Sequence, residues 1–281
     1  MTASATLLNP GQVERVHEAS LEILEDVGVL VHNQEARARF AKHGCRVDAE
    51  TQVVKFPRAV VEEFRAAIPP TFTFHGRDPR YDRTIPGDGP LFVTGKERRS
   101  RSDDIAHLVN ELPGYDVFGI SITADDAPPG QFSLSRFYPA LKNCLKPVRG
   151  SAPTLDEADK ILRLGALIAG SEDAFWERPF VTFQYCAVVS PLTMDVESTE
   201  KLMRFGERGI PSYGAIAPNA GVTAPFTLLG TLAQCNAEFL AMSVLAQMSR
   251  PGTPFVYSTL PTVGDMRAGP MRPAPSRRAC C

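Results

Sequence analysis

Residues 219–252 read NAGVTAPFTLLGTLAQCNAEFLAMSVLAQMSRPG, and this run decides how the chain is read. Its centre, 226–248, has no proline, and Leu228, Leu232, Phe239, Met242 and Leu245 recur at helical spacing. The opposite face is mostly Ala, Leu and Val. A helix that is apolar nearly all round is buried on more than one side. Pro225 suits a first turn, where its missing N–H costs nothing, and Gly252 after Arg250-Pro251 stops the helix. Short β-like runs flank it at 210–217 and 254–258. Strand, buried helix, strand is a βαβ unit, and it implies a parallel sheet. Gln234, Asn236, Glu238 and Gln247 interrupt the run, so it lacks the ~18 uninterrupted apolar residues of a membrane span.

Upstream, the same alternation recurs. Helices expected at 103–112, 132–142, 155–169 and 196–208 lead into strands at 117–124, 147–151, 180–188 and 210–217. With 254–258 this makes five strands, each preceded by a helix, which predicts an α/β domain. A doubly wound sheet would carry a glycine-rich phosphate turn, and neither G-x-G-x-x-G nor G-x-x-x-x-G-K-[ST] occurs. The strand ends carry Asp125-Asp126, Ala152-Pro153, Ser190-Pro191, Pro218-Asn219 and Leu260-Pro261 instead. Polar and turn residues at successive strand C-termini fit the catalytic face of a TIM-type (β/α)8 barrel. Eight strands and ~250 residues are the norm for that fold. Only five strands are countable here, and 270–281 has no periodicity. The expectation is therefore an incomplete barrel in a truncated chain.

Before residue 110 the texture is α+β. Asn9-Pro10 opens a helix over 10–27 that Gly28 ends; 29–31 is extended; Asn33 caps a helix to His43, closed by Gly44. Segments 45–48 and 52–56 flank Asp48-Ala49-Glu50-Thr51 as a hairpin, a helix follows Pro57 over 58–68, and 72–75 and 91–94 read as strands. The basic cluster Lys96, Arg98, Arg99 and Arg101 reads as a solvated loop in preference to a phosphate site. The organisation expected is an α+β region over 1–110, a partial barrel over 111–269 and an aberrant tail over 270–281.

Composition removes several classes. A net charge of −2 over 281 residues gives no argument for nucleic acid. Six cysteines form no C-x-x-C pair, and no signal peptide is visible, so the cytoplasm is the default. All five histidines precede residue 108, which excludes a His-rich zinc site in the second half.

Five segments together resemble the trimethylamine methyltransferase family: VHEASLEILEDVGVLV (16–31), HGRDP (75–79), SPL (190–192), NAGVTAPFTLLGTLAQCNAEFLA (219–241) and PGTPFVYSTLPTVGDMRAG (251–269). The resemblance runs from about residue 10 to Gly269 and stops there. It implies a TIM-type barrel and methyl transfer from a methylated amine, trimethylamine or glycine betaine, to a corrinoid carried by a separate protein. Some members carry pyrrolysine in the part that is absent here, so the substrate stays open.

The candidate site follows from that chemistry. A methylated amine offers few or no N–H donors, and aromatic faces recognise such cations. Phe183, Tyr185, Tyr213, Phe226, Phe255 and Tyr257 lie on or beside strands; most would pack the core, with Tyr185 and Tyr257 the preferred exceptions. Asp125 or Asp126 could balance the cation or merely cap a loop. Asn219 and Thr223 could touch substrate or cap the long helix, and Ser190 and Ser258 sit where the methyl acceptor would dock. Glu238 and Asn236 read as internal hydrogen-bonding groups. No nucleophile–base pair stands out, because the corrinoid itself is the nucleophile. The chain is expected to hold no metal or cofactor, to meet no nucleic acid or membrane, and to need no S-adenosylmethionine; homo-oligomerisation is left open. Two rivals remain: a barrel lyase or aldolase, disfavoured because no lysine lies in the barrel strands, and an inactive fragment that only binds a partner.

Overall fold

The computed structural model of the chain describes residues 8–87, 89–94, 102–120 and 131–263. Two compact units are present: one runs from Pro70 to Gln184, and the other joins the chain up to Pro69 with the chain from Tyr185 onward.

The second unit opens with α1 (Pro10–Glu22), extended by a π turn over Ile23–Val27. Asn9 and Gln12 cap it reciprocally, each side chain taking the other's backbone N–H at 2.9 Å. Gly28 then adopts φ 84°, and a Cβ there would lie 2.5 Å from the Val54 carbonyl, so no other residue fits. Next come β1 (Val29–Val31) and α2 (Gln34–Lys42), which Asn33 caps through the Ala36 N–H. The hairpin forms between β2 (Arg46–Val47) and β3 (Val53–Lys55), its turn held by the Asp48 carboxylate accepting from the N–H groups of Glu50 and Thr51. The third helix, α3 (Arg58–Ala66), ends two residues before the expected 58–68 boundary.

The first unit begins with an antiparallel pair, β4 (Phe72–Phe74) and β5 (Arg83–Ile85). The sequence pattern indicated β4 but not β5, whose Arg-Thr-Ile is too short to show alternation. The strand expected over 91–94 is reduced to one bridge between Val93 and Val117. There follow α4 (Ser102–Glu111), β6 (Phe118–Gly119), α5 (Phe132–Asn143), β7 (Val148–Gly150), α6 (Leu155–Ala169), α7 (Glu172–Glu177) and β8 (Val181–Tyr185). Strands β6, β7 and β8 are parallel and adjacent in chain order. The sequence reading missed α7, a six-residue helix capped by Ser171. The basic cluster at 96–101 and the tail at 270–281 lie outside the described residues.

The second unit resumes with β9 (Val188–Val189), β10 (Thr193–Met194), α8 (Val196–Arg208), β11 (Ser212–Ile216), β12 (Asn219–Ala220), α9 (Leu228–Ser249), β13 (Phe255–Thr259) and β14 (Thr262–Val263). The strand expected over 180–188 therefore stops at Tyr185. Val188 joins a different sheet, of order β2-β3-β1-β10-β9, in which β1 and β10 are parallel. Strands β11 and β13 pair in parallel over five residues, Ser212 opposite Phe255 through Ile216 opposite Thr259. Past their C-termini, β12 and β14 pair in parallel as well. The described chain is a mixed α/β fold with parallel strands and interleaved helices.

At the centre of this unit α9 is enclosed by α1, α2, α3 and α8 and by β11 and β13. It has the length and hydropathy of a membrane span, yet 72% of its most apolar window is buried inside the protein. Its start differs from the expected one. Thr227 is the cap, accepting from Gly230 N–H at 3.2 Å, and Pro225 lies before the helix, where its carbonyl takes the Thr231 hydroxyl. A threonine oxygen can accept an orphan N–H and a proline ring cannot, so the cap sets the start. Inside, every polar group has a partner of its own: Asn236 donates to Ser20, Ser20 to the Ala233 carbonyl, and Gln247 both donates to the Thr253 carbonyl and accepts from Gly252 N–H.

Candidate functional site

The polar residues after the strands converge on one acid. Gln234 and Glu238 stand one turn apart on α9 and so share a face. Glu238 is fully buried. Its Oε2 accepts the Ser190 hydroxyl at 2.6 Å, and its Oε1 accepts the Leu192 N–H and the Gln234 amide, each at 2.9 Å. Gln234 also donates to the Thr223 carbonyl at 2.8 Å, and the Thr223 hydroxyl accepts the Asn219 N–H at 2.9 Å. One helix thus holds both the turn at Ser190 and the turn at Asn219. Burial raises the Glu238 carboxyl above the usual carboxylate range, and the bonds from Ser190, Leu192 and Gln234 pull it partly back.

Both turns are bent sharply. Ser190-Pro191 is cis, and Leu192 sits at φ 47°, a left-handed conformation that costs a branched side chain on the order of 1 kcal/mol. The Leu192 N–H bond to Glu238 helps hold it there. At the other turn, the Asn219 carbonyl accepts from Val222, Thr223 and Ala224 at 2.9–3.1 Å.

The tyrosines divide by sheet face. On β13, Phe255 and Tyr257 both stack on Phe239 of α9, at 5.3 and 4.2 Å between ring centroids. On β11, a Cβ at Gly214 would meet that same Phe239 ring at 3.3 Å, so Gly214 also faces the helix. Strand alternation then turns Tyr213 and Ala215 to the opposite face, with Val256 and Ser258 across from them in register. Tyr213 and Ser258 share that face. Tyr257 is half-exposed on the helix side, where its hydroxyl donates to Asn236 at 3.3 Å. Tyr185 is buried with its ring 5.5 Å from Phe205 of α8; burial drives its phenol pKa well up, and the Ser212 hydroxyl offsets little of that. The structure therefore brings Ser190, Asn219 and Thr223 together through Glu238 and Gln234, sets Tyr213 with Ser258, and directs Tyr185 and Tyr257 into helix packing. Asp125 and Asp126 lie outside the described residues. Neither Asn219 nor Thr223 caps α9, which Thr227 does.

Sequence reasoning placed Glu238 inside the helix without its partners. The i, i+4 spacing from Gln234 was the available signal. It also passed over Lys146, which lies two residues before β7 and is buried. Burial lowers the pKa of this ammonium, as a Schiff-base lysine would require. Its three N–H groups, however, donate to the carbonyls of Val109, Leu112 and Tyr115 at 2.6–2.8 Å, which closes the C-terminus of α4. A lysine so committed is a cap. Among the described residues no group of three or more His, Cys, Asp or Glu lies together as metal ligands.

Similarity to known proteins places the chain in a family. The family described as trimethylamine methyltransferase (MTTB) matches residues 1–276. A glycine betaine methyltransferase of Desulfitobacterium hafniense (strain Y51) is 30% identical over 278 residues, covering 94% of this chain and 57% of the relative. A proline betaine:corrinoid methyltransferase of Eubacterium limosum is 33% identical over 276 residues, covering 91% of this chain and 56% of the relative. A trimethylamine methyltransferase MttB of Methanosarcina thermophila is 28% identical over 278 residues, covering 92% and 57%. The chain spans a little over half the length of these relatives. With its match extending over nearly every residue, the chain belongs to the trimethylamine methyltransferase family.

Proposed function

We propose that the protein is a methyltransferase that moves a methyl group from a methylated amine, trimethylamine or a betaine, to a corrinoid carried by a partner protein. The observation that carries this reading is the family match over residues 1–276. The names of the relatives, which include both amine and betaine enzymes and a corrinoid acceptor, support the substrate class and the partner. In this reading the parallel strands belong to a TIM-type barrel whose C-terminal face carries the site.

A corrinoid on the partner would supply the electron pair for the new bond to carbon. From a quaternary betaine or protonated trimethylamine, the C–N pair would stay on nitrogen and the amine would leave neutral. The chain's own task is orientation. The turns at Ser190 and Asn219, held by α9, present oxygen atoms around the strand ends. Tyr213 offers an aromatic face and Ser258 a hydroxyl on the sheet face away from α9, and a quaternary cation suits both. In this reading Tyr213 joins Tyr185 and Tyr257, which residue type favoured, as a candidate for the aromatic contact.

The test mixes the protein with a reduced corrinoid protein and with trimethylamine, glycine betaine or proline betaine, and follows the corrinoid absorbance. Methylation that depends on the protein and on one of these amines is the expected result. Turnover with S-adenosylmethionine and none with any methylated amine overturns the assignment.

A further inference from the structure

We infer that Glu238 fixes the donor–acceptor sense of Ser190, so that the serine hydroxyl turns only lone pairs toward a bound methylated ammonium. Glu238 is then a positioning residue that acts through Ser190. The inference rests on the proposed substrate class and adds to it the group that tells the cation from a neutral molecule of the same shape.

A hydroxyl has one proton and two lone pairs. The Ser190 proton is committed to Glu238 Oε2 at 2.6 Å, the length of a charge-assisted bond. Glu238 has no freedom to release it. Its other oxygen is filled by Leu192 N–H and the Gln234 amide, and the side chain is fully buried. Ser190 itself is only half-buried, so its oxygen stands between an enclosed acid and the outside of the turn. A hydrogen bond donated into low dielectric polarises the donor oxygen and makes it a stronger acceptor. A methylated ammonium spreads its charge over C–H groups, which are weak donors, and acceptors are what it needs. A serine whose proton is free to rotate can point that donor at the cation. This one cannot.

The substitution Glu238→Gln separates this role from that of a structural clamp. With the amide oxygen in place of Oε1, glutamine still accepts from Leu192 and Gln234. Its NH2 then stands where Oε2 was and donates to Ser190, which reverses the serine. Every contact survives and one polarity flips. The readout is calorimetric binding of glycine betaine against 3,3-dimethylbutanoate, which keeps the carboxylate and replaces N⁺ by carbon. The unsubstituted protein should prefer the betaine, and Glu238→Gln should lose that preference by roughly ten-fold while melting normally and binding the carbon isostere as before. Ser190→Ala, which leaves the Leu192 and Gln234 bonds in place, should lose it as well and serves if Glu238→Gln does not fold. Unchanged betaine preference in either variant overturns the inference, and so does an equal loss of both probes, which marks a clamp only. If the unsubstituted protein binds no methylated ammonium of any kind, the proposed function fails first and takes this role with it.

Discussion

Two neighbouring helices of the second unit, α8 and α9, treat their polar side chains in opposite ways. On α8 Lys201 is buried, but Arg204 and Glu207 point outward. Arg204 meets Glu35 of α2 at 3.0 Å, and Glu207 meets Arg39 at 2.8 Å, all in partly exposed surroundings. On α9 the polar groups point inward, and Glu238 alone takes three hydrogen bonds. The number of bonds is similar and the alternatives differ. An α8 charge that loses its partner turns to water. An α9 group that loses its partner has nothing else. The difference shows that the weight of a polar contact depends on what replaces it.

The largest effect that can break this contrast is Glu238→Leu. It takes their acceptor from the Ser190 hydroxyl and the Leu192 N–H, and leaves the Gln234 amide with the Thr223 carbonyl alone. We expect a loss of about 2–4 kcal/mol in urea unfolding. A loss under about 0.5 kcal/mol would put Glu238 in the same class as the surface charges of α8.

Next in size are the two N-caps. Thr227→Ala on α9 and Asp195→Ala on α8 each remove an oxygen that accepts a backbone N–H, at 3.2 and 2.7 Å. Each should lower stability by about 1 kcal/mol. Near-equal values sharpen the contrast, because they show that the helices differ in their middles and not at their ends. Smaller still is Arg204→Ala, which should cost about 0.2–1 kcal/mol and less in high salt. A loss that persists unchanged in 1 M salt, where the Debye length is only ~3 Å, would mean that the α8 network is shielded from water after all.

The last test concerns sign and not size. Burial raises the Glu238 pKa, so the folded protein holds that proton more tightly than the unfolded chain does. Its contribution to stability should fall as pH rises from the ordinary carboxylate range toward the raised value. For Glu207 burial also pushes upward, but the bonds from Arg39 and Arg204 outweigh it and the net shift is down. That contribution is present above the ordinary glutamate value and disappears as pH falls through the lowered one. Comparing the pH dependence of stability in Glu238→Gln and Glu207→Gln against the unsubstituted protein should show slopes changed in opposite directions. Changes of the same sign would contradict the contrast.

Much of the fold was legible because the signals are local. The bounds of α6 and α8, with Thr154 before one and Gly209 after the other, follow from caps and periodicity within a few residues. So does the β2–β3 hairpin around Asp48. The candidate site was legible only in outline. Ser190, Asn219 and Thr223 stood out as polar residues after strands, and nothing in their spacing pointed to a shared acid. Tyr185 and Tyr257 were favoured on residue type alone. Which face of a strand a helix covers depends on the packing, and here it sets Tyr185 against Phe205 and Tyr257 against Phe239.

By itself the sequence determined that α9 is buried. A run apolar on every side, with Glu238 as its one acidic residue, has no solvent face to offer. It also determined the parallel neighbours β11 and β13, since a helix between two strands returns the chain in the same direction. Only the tertiary structure decided what surrounds that helix. Leu30 of β1 pairs with Thr193 of β10, and α1, α2 and α3 close over α9 from the far end of the chain. It decided as well that Glu238 would meet Ser190. The physical reason is that capping, periodicity and turn chemistry act over a few residues and leave a mark in the residues themselves. A hydrogen bond between distant segments follows from the joint packing of all their apolar faces, which no single stretch records.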